Sequence, residues 1–320
     1  MTLKDILKQA ISMLTYEFID PDRQISSEDF KFVESFLEAT GRTQLGWHYI
    51  TDITWIYSHV KEWPRNYKIL DAGGGLGPVQ FLLAEMGFSV VNIDLALVKP
   101  PQVYMDRYKI THEVLLSFSP TSYIDILKDM SSNTIRAKLK KLLKSTLLYQ
   151  FWQQWKYSSY NQNHDQWRYS AGITNVPIGT IEWKTGNLCY MPEISSESFD
   201  AVVSLSAWEH IPYGILDQAV SEIRRVLKPG AKWAVTTSAT EKSETWWHEP
   251  SQSNCFSVAD LETIFLAHSF QNQTPEAILD AYRNCNYLKD NLADFYKKSG
   301  KYGMPWGKWN PTYIPVGLNR

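Results

Sequence analysis

The sequence predicts a doubly wound α/β fold, in which helices cover both faces of a mostly parallel β-sheet. The first observation is a strand at residues 68–71, followed by a glycine-rich loop, a helix at residues 78–86 and a second strand at residues 88–94. This succession is a βαβ unit, which requires parallel strands joined by a right-handed crossover. The second observation is that strands and helices alternate again from residue 199 onward.

The later elements are predicted from short apolar runs and the turn residues between them. Residues 199–205 read as a buried strand, and a helix at residues 215–227 ends at the turn Lys228-Pro229-Gly230. The same pattern predicts a strand at residues 232–238, a helix at residues 257–267 and a last strand at residues 312–318.

The region before the first predicted strand is expected to be helical. Ser27 and Asp29 are suitable N-caps for a run at residues 30–39, and a second run at residues 48–63 has apolar residues at helical spacing before Pro64. Residues 1–64 are therefore predicted to form an N-terminal helical segment.

Residues 99–178 interrupt the alternation of strands and helices. Because a connection between a strand and a helix rarely needs so many residues, this segment is predicted to be an insertion. It contains a basic amphipathic helix at residues 135–147 and an aromatic-rich stretch at residues 151–169. We expect a cap that closes the substrate pocket, with a dimer interface as the alternative. The α/β domain then comprises residues 65–98 and 179–320.

Charge and cysteine content argue against several classes of partner and site. The net charge of −2 and the isoelectric point near 6.4 are not those of a typical nucleic-acid-binding protein. The three cysteines have neither the spacing of a zinc site nor the number for a disulfide framework, and no metal is expected. The sequence shows no signal peptide and no stretch of transmembrane length, and a basic helix of this kind is usually solvated rather than membrane-bound. We therefore expect a cytoplasmic protein without a nucleic-acid or membrane partner.

The glycine-rich loop discriminates between two kinds of nucleotide site. The dinucleotide fingerprint GxGxxG fails in both registers, because its third glycine would fall on Pro78 or Gln80. The loop instead carries an acidic residue two positions before the glycines, in the sequence Asp71-Ala72-Gly73-Gly74-Gly75-Leu76-Gly77. Glycines at such a turn let the backbone approach a ligand closely.

Asp71, with Gly73, Gly75 and Gly77, resembles the first motif, Asp-x-Gly-x-Gly-x-Gly, of the class I S-adenosylmethionine-dependent methyltransferases. The resemblance implies a Rossmann-like, seven-stranded sheet with S-adenosylmethionine as the cofactor. It further implies that the loop wraps the methionine part of the cofactor, and that Asp71 helps to fix the loop and the amino group. Within the family, the pattern is most similar to the type-11-like branch of small-molecule methyltransferases.

Further cofactor residues follow in chain order. Asp94 ends the second strand, where a carboxylate can accept both ribose hydroxyls, and Leu95 lies directly after it. Asn187 and Leu188 lie in a stretch that resembles the family's adenine segment, with Asn187 where Asp is usual. Ser206 follows the strand at residues 199–205, at the carboxyl edge where such sheets bind ligands.

Candidate catalytic residues come after strands that lead to the substrate. Methyl transfer is an in-line displacement, so alignment supplies much of the catalysis, and a hydroxyl nucleophile also gains from a base. His210 is the candidate base, with a packing role as the alternative, and Glu209 and His248 are further candidates. The aromatic segment at residues 47–49 offers a face to the sulfonium or packs on the sheet edge.

The sequence thus predicts a methyltransferase that uses S-adenosylmethionine and acts on an oxygen or nitrogen of a small molecule. Carbon methylation of an activated ring is one alternative. The other is a non-catalytic binding subunit with the same fold, although such a subunit would not need Asp71, Asp94 and the loop glycines. A homodimer is left open.

Overall fold

The computed structural model describes residues 14–42, 44–95, 100–117, 159–269, 274–299, 303–307 and 313–320. Its largest feature is a nine-stranded sheet, with a separate two-stranded sheet beside it. The strands in chain order are β1 Leu14–Phe18, β2 Lys68–Ala72, β3 Ser89–Asp94, β4 Thr111–Val114, β5 Ile181–Thr185, β6 Phe199–Leu205, β7 Leu227–Ala239, β8 Trp246–His248, β9 Ser253–Cys255, β10 Ala267–Ser269 and β11 Ile314–Asn319.

The order of strands in the large sheet is β10-β1-β11-β7-β6-β2-β3-β5-β4. Of these nine described strands, only β11 runs antiparallel to its two neighbours, β1 and β7. The remaining pairings are parallel, so their carboxyl ends meet at one edge of the sheet. The predicted mostly parallel, doubly wound sheet is confirmed.

Helices cover both faces of the large sheet. α1 Pro21–Ile25 contacts α2 Glu28–Ala39 and α3 Tyr49–Val60, and its Ile25 packs against the hydrophobic cluster of the opposite side. One face of the sheet is covered by α2, α3, α4 Val79–Glu85, α5 Gln102–Arg107 and α6 Tyr160–Ser170. The opposite side carries α7 Leu216–Val226, α8 Val258–Thr263, α9 Pro275–Asn284, α10 Asn286–Asp290 and α11 Asp294–Ser299. Two hydrophobic clusters fill the layers between the helices and the sheet, and both contain residues with no exposed surface.

The large sheet has nine strands, whereas the resemblance implied seven. The two additional strands, β1 and β4, lie outside the predicted α/β domain. The prediction that residues 1–64 are helical is wrong for Leu14–Phe18, since this segment forms β1. Leu14, Tyr16 and Phe18 are buried at a period of two, and β1 is inserted between β11 and β10. The helix predicted at residues 257–267 ends early, at Thr263, and its last residue begins β10.

The described flanks of residues 99–178 pack against the α/β domain. β4 pairs with β5 at the sheet edge, and α6 packs on α2 and α5. The carboxylate of Glu85, on α4, contacts Arg107 at 2.6 Å, Arg168 at 3.1 Å and His164 at 3.2 Å. This buried ion cluster ties both flanks to α4. The predicted cap helix and most of the aromatic stretch, at residues 118–158, lie outside the described residues.

Across the described part of the chain, no helix combines the length and apolar composition that a bilayer crossing requires.

Candidate functional site

The glycine loop joins β2 to α4 and depends on two glycines with left-handed backbone. Gly73 has φ of 82° and Gly75 has φ of 48°, values that most other residues adopt only with strain. The backbone N–H of Gly73 donates to the carbonyl of Ile93 at 2.8 Å, and that of Gly77 donates to the carbonyl of Gly74 at 2.7 Å. These bonds turn the chain sharply at the carboxyl edge of the sheet.

Asp71 lies beneath the loop and is 1% exposed. Neither of its carboxyl oxygens has a hydrogen-bond partner among the described residues. Burial raises the pKa of Asp71 to about 8, and the negative charge of Asp94 adds to the effect. An ionised Asp71 therefore requires a positive partner, which the described part of the protein does not supply here.

Asp94 closes the other side of the loop. Its Oδ2 atom accepts a hydrogen bond of 2.9 Å from the backbone N–H of Gly75. A shallow recess with a cavity volume of about 10 Å³ lies beside it, lined by Gly75, Asn92, Asp94, His112, Trp183, Lys184 and Thr185. The carboxylate thus lies at the end of β3, where the sequence prediction put it.

A buried polar network that the sequence analysis missed holds the loop in place. The carbonyl of Gly75 accepts hydrogen bonds of 2.8 Å from both the Asn92 and the Gln80 side chains. The Gln80 carbonyl oxygen in turn accepts from Asn92 at 3.0 Å and from the indole of Trp183. The sequence carries a signal for this network, because Gln80 lies between apolar residues of its helix and Asn92 between apolar residues of its strand. Both side chains are buried, and buried polar groups need hydrogen-bond partners.

Gly73 brings the end of β6 against the loop. A Cβ atom on Gly73 would lie 2.7 Å from the Cβ atom of Ala207, so only glycine allows this approach. Ser206, just before Ala207, has φ of 45°, a strained value for a non-glycine residue. Its backbone N–H is held by the carbonyl of Thr236 at 3.1 Å. The carboxyl ends of β2, β3 and β6 therefore meet around one site.

The predicted adenine segment follows β5 and reaches the same edge. Asn187 is exposed, and its side-chain carbonyl accepts a hydrogen bond of 2.9 Å from the backbone N–H of Cys189. Leu188 is 9% exposed and packs within 3.9 Å of the Cβ position of Gly73. Leu95 is half-buried directly after Asp94. The predicted cofactor residues thus lie around the carboxyl ends of β2, β3, β5 and β6.

This set of groups fits S-adenosylmethionine. The buried Asp71 carboxyl lacks a positive partner, and the cofactor carries an ammonium and a sulfonium. Asp94 presents carboxylate oxygens suited to vicinal hydroxyls, while Leu188 offers apolar contact to a flat base. In the described residues no cluster of three or more His, Cys, Asp or Glu side chains has the arrangement of a metal site.

The predicted catalytic residues Glu209 and His210 lie in a short 3-10 helix, Trp208–His210, after β6. Glu209 is 4% exposed, and its Oε2 atom accepts from the hydroxyl of Thr237 at 3.0 Å. Burial raises the pKa of Glu209, against the opposing charge of His210. His210 is exposed, with Nδ1 2.8 Å from the carbonyl of Gln252. Because a carbonyl only accepts, Nδ1 carries the proton of the neutral ring.

His248, the third predicted catalytic residue, lies in β8, which pairs with β9 beside the 3-10 helix. It is 2% exposed, and its Nδ1 atom is 2.6 Å from the hydroxyl of Ser251. Burial lowers the pKa of His248 to about 4, so the ring is neutral at physiological pH. Its ring packs against Tyr313, with 5.7 Å between ring centroids.

The tertiary structure also assembles a group that the sequence analysis did not single out. Asp52, on α3, is completely buried and accepts from His48 Nδ1 at 2.9 Å and from the Ser206 hydroxyl at 3.0 Å. His48 Nε2 is 3.4 Å from the hydroxyl of Tyr313, which accepts from the Trp47 indole at 3.2 Å. The predicted aromatic segment at residues 47–49 therefore contacts the strand-end residue Ser206 through Asp52.

A sequence model of the methyltransferase domain family matches residues 33–274 of this chain. The chain belongs to this family. It is an S-adenosylmethionine-dependent methyltransferase, and S-adenosylmethionine is its expected cofactor. A comparison with curated protein sequences found no match.

Solved structures with a similar fold include a suggested sarcosine dimethylglycine methyltransferase from Galdieria sulphuraria, at 13% identity and a TM-score of 0.41, covering 90% of this chain and 97% of that one. An S-adenosylmethionine-dependent methyltransferase from Methanosarcina mazei matches at 14% identity and a TM-score of 0.39, covering 82% and 95%. The PH0226 protein from Pyrococcus horikoshii matches at 17% identity and a TM-score of 0.30; the match covers 68% of this chain and 58% of that protein. These likenesses identify no acceptor.

Proposed function

We propose that this methyltransferase transfers the methyl group to an oxygen or nitrogen atom of a small molecule. The observation that carries the proposal is the contact between Gly73 and Ala207, at 2.7 Å between the Cβ position and the Cβ atom. It brings the cofactor loop against the end of β6, where buried proton-accepting side chains follow. A methyl donor held by the loop would therefore lie next to Glu209 and to the pair His48–Asp52.

A cleft beside the loop supports a small-molecule acceptor. It lies between α2, the segment before α3 and α10, and its cavity volume is about 140 Å³. This volume is below the roughly 300–1,000 Å³ of pockets for drug-sized ligands, so the cleft suits a small ligand or part of one. Arg42, in its wall, donates a hydrogen bond to the carbonyl of Leu76 in the glycine loop, and Trp47 also lines the cleft. The cleft is thus linked to the loop through Arg42.

Each cofactor residue has a distinct task in this proposal. S-adenosylmethionine supplies a methyl group on a positively charged sulfur. Asp71 would ionise beside the positive end of the cofactor, Asp94 would accept from the ribose, and Leu188 would cover the adenine together with Asn187. The protein's main contribution is alignment, because an in-line displacement needs the acceptor atom, methyl carbon and sulfur in one line.

Labelled cofactor tests the proposal directly. The full chain is incubated with methyl-labelled S-adenosylmethionine and a panel of alcohols, phenols, amines and electron-rich aromatic rings. The label in the products is then located by mass spectrometry and NMR. We expect label on oxygen or nitrogen, together with release of S-adenosylhomocysteine.

Two other outcomes contradict the proposal in different ways. Label on a ring carbon would establish carbon methylation, which was the alternative in the sequence analysis. Tight cofactor binding without transfer to any member of the panel would favour a binding subunit. Calorimetry with S-adenosylmethionine separates that case from a chain that binds no cofactor.

A further inference from the structure

We propose that Tyr313, His48 and Asp52 form a relay that accepts the proton of the methyl acceptor. The inference rests on the proposed function and deepens it, since it restricts the acceptor to one with an O–H or N–H bond. All three residues lie near the carboxyl edge of the sheet. Tyr313 directly precedes β11, whose first residue pairs with Ala239 at the carboxyl end of β7. Asp52 contacts Ser206, at the end of β6.

The hydrogen bonds of the relay are consistent with donation from Tyr313 to His48. An ionised Asp52 can only accept, so His48 Nδ1 donates to it, and Nε2 of the neutral ring is left as an acceptor. The indole of Trp47 can only donate, and it donates to the Tyr313 oxygen. The Tyr313 hydroxyl can then donate its proton to His48 Nε2. Their separation of 3.4 Å is long, as such bonds often are without substrate.

The burial of Asp52 argues for more than a structural role. Its side chain has no exposed surface, and its Oδ1 atom has no hydrogen-bond partner among the described residues. A buried carboxylate with an unpaired oxygen destabilises the fold, so a purely structural site would favour a neutral side chain. Ser206, whose side-chain hydroxyl donates to the same carboxylate, has a strained backbone, which is a second destabilising feature at this place.

The proton balance of the step is complete. As the acceptor atom forms its bond to the methyl carbon, the carbon–sulfur bond breaks and its electron pair stays on sulfur. The acceptor's proton passes to the Tyr313 oxygen while the phenolic proton moves to His48 Nε2. Asp52, a positioning residue, stabilises the resulting imidazolium and holds Nδ1 as the donor. The proton then returns to solvent when the products leave.

The titratable groups that face His48 come from four elements. Asp52 lies on α3, the helix that His48 caps. Glu209 comes from the 3-10 helix after β6, and Tyr313 precedes β11. Tyr49 is adjacent, with 5.0 Å between ring centroids, and the hydroxyl of Tyr282 on α9 is 3.4 Å from the neighbouring Thr51 hydroxyl. Trp47 packs on the imidazole at 4.8 Å. The carboxylates of Asp52 and Glu209 therefore face the imidazole from two different elements.

A first measurement needs no acceptor. The chain is labelled with ¹⁵N-histidine, and the His48 resonances are assigned by their loss in His48→Gln. We expect a neutral ring with the proton on Nδ1 and bare Nε2, and we expect the Nδ1 proton to shift in Asp52→Asn. A neutral ring with its proton on Nε2 would overturn the relay, because such a ring has no acceptor for the Tyr313 proton.

The second measurement is kinetic and uses the panel member that takes most label from the wild-type enzyme. Tyr313→Phe, His48→Gln and Asp52→Asn should each lower kcat by about a hundredfold or more, the range of general-base loss. Calorimetric affinity for S-adenosylmethionine should stay within a few-fold. The matched control is Thr51→Val, which removes a buried hydroxyl bonded to the His48 carbonyl at 2.6 Å but leaves the relay intact. It should lose stability and keep its kcat.

The pH profile distinguishes catalysis from structure. If His48 takes the proton, the pH dependence of kcat should change in His48→Gln, whereas a purely structural role would leave its shape unchanged. Wild-type kcat and pH profile in Tyr313→Phe and His48→Gln would overturn the relay and leave the proposed function standing. A wild-type enzyme that labels only ring carbon, or nothing, would overturn both.

Discussion

A Cβ atom on Gly74 would lie 2.1 Å from the Oδ2 atom of Asp71, so the glycine loop closes directly over a buried carboxyl group. The loop leaves no room there for a side chain. It also excludes water from Asp71, which explains why burial is the main reason for the raised pKa of this residue. The first prediction follows from this contact.

The free energy of unfolding of the cofactor-free protein should depend on Asp71 in a defined pH window. Folding raises the pKa of Asp71 from 3.8 to about 8, so its contribution is fully present below about pH 4 and is lost as the pH rises through 8. The free energy of unfolding of Asp71→Asn, relative to wild type, should therefore increase with pH. Urea denaturation at several pH values measures this difference. A difference that does not change with pH would show that Asp71 ionises normally in the fold.

Asp94→Ala should weaken S-adenosylmethionine binding by about tenfold or more while the protein stays folded. The substitution removes charge-assisted hydrogen bonds to the ribose, each worth about 1.5–3 kcal/mol, and it frees the N–H of Gly75. Calorimetry gives the affinity, and thermal unfolding checks the fold. Asp94→Asn keeps an acceptor for the Gly75 N–H, so its affinity for S-adenosylmethionine should lie between those of wild type and Asp94→Ala. Wild-type affinity in Asp94→Ala would place the ribose elsewhere.

Asn187→Asp should bind S-adenosylmethionine with an affinity within a few-fold of wild type. The family that the segment resembles has Asp here, and either side chain can accept the hydrogen bond of 2.9 Å from the Cys189 N–H. A large loss of affinity, again by calorimetry, would mean that the adenine lies against another segment.

His210→Ala should lower kcat by less than tenfold. The sequence analysis made His210 the candidate base, which predicts a loss of about a hundredfold. The structure puts its imidazole on the surface, with Nδ1 on the Gln252 carbonyl, whereas the buried Asp52 of the pair His48–Asp52 contacts Ser206, at the end of β6. The labelled-methyl assay measures kcat of His210→Ala and so decides whether His210 or His48 acts as the base. A hundredfold loss in His210→Ala would return the role of base to His210.

Glu85→Gln should destabilise the fold by about 3–5 kcal/mol without changing cofactor affinity. It removes the carboxylate charge beside the buried Arg168 and leaves Arg107 paired with the exposed Asp165. An exposed control is Asp280→Asn, which breaks a surface pair with Arg283 and should change the free energy of unfolding by less than about 1 kcal/mol. Urea denaturation measures the free energy of unfolding of wild type, Glu85→Gln and Asp280→Asn.

The effect of Glu85 should also depend on pH. Burial alone would raise the pKa of Glu85, but hydrogen bonds and charges from His164 and Arg107 outweigh it and lower the pKa to about 2. The carboxylate's contribution is therefore present above pH 4.5 and is lost as the pH falls to about 2. The stability gap between wild type and Glu85→Gln should narrow over that window. A constant gap would assign the destabilisation to packing instead.

The sequence by itself determined the fold class, the family and the cofactor loop. These depend on local patterns: the change from helical to strand spacing at residue 68, the glycines of the loop, and acidic residues at the ends of β2 and β3. Hydrophobic period and turn chemistry are properties of neighbouring residues, so they can be read without the tertiary structure.

Only the tertiary structure decided which polar residues meet. Ser206 and Asp52 are 154 positions apart, and Tyr313 and His48 are 265 apart. Asp52 looked like an ordinary polar residue of an amphipathic helix, and β1 looked helical because its place between β11 and β10 depends on distant strands. The physical reason is that a buried polar group is stabilised by whatever partner the fold brings within hydrogen-bonding distance, and sequence spacing carries no record of that partner.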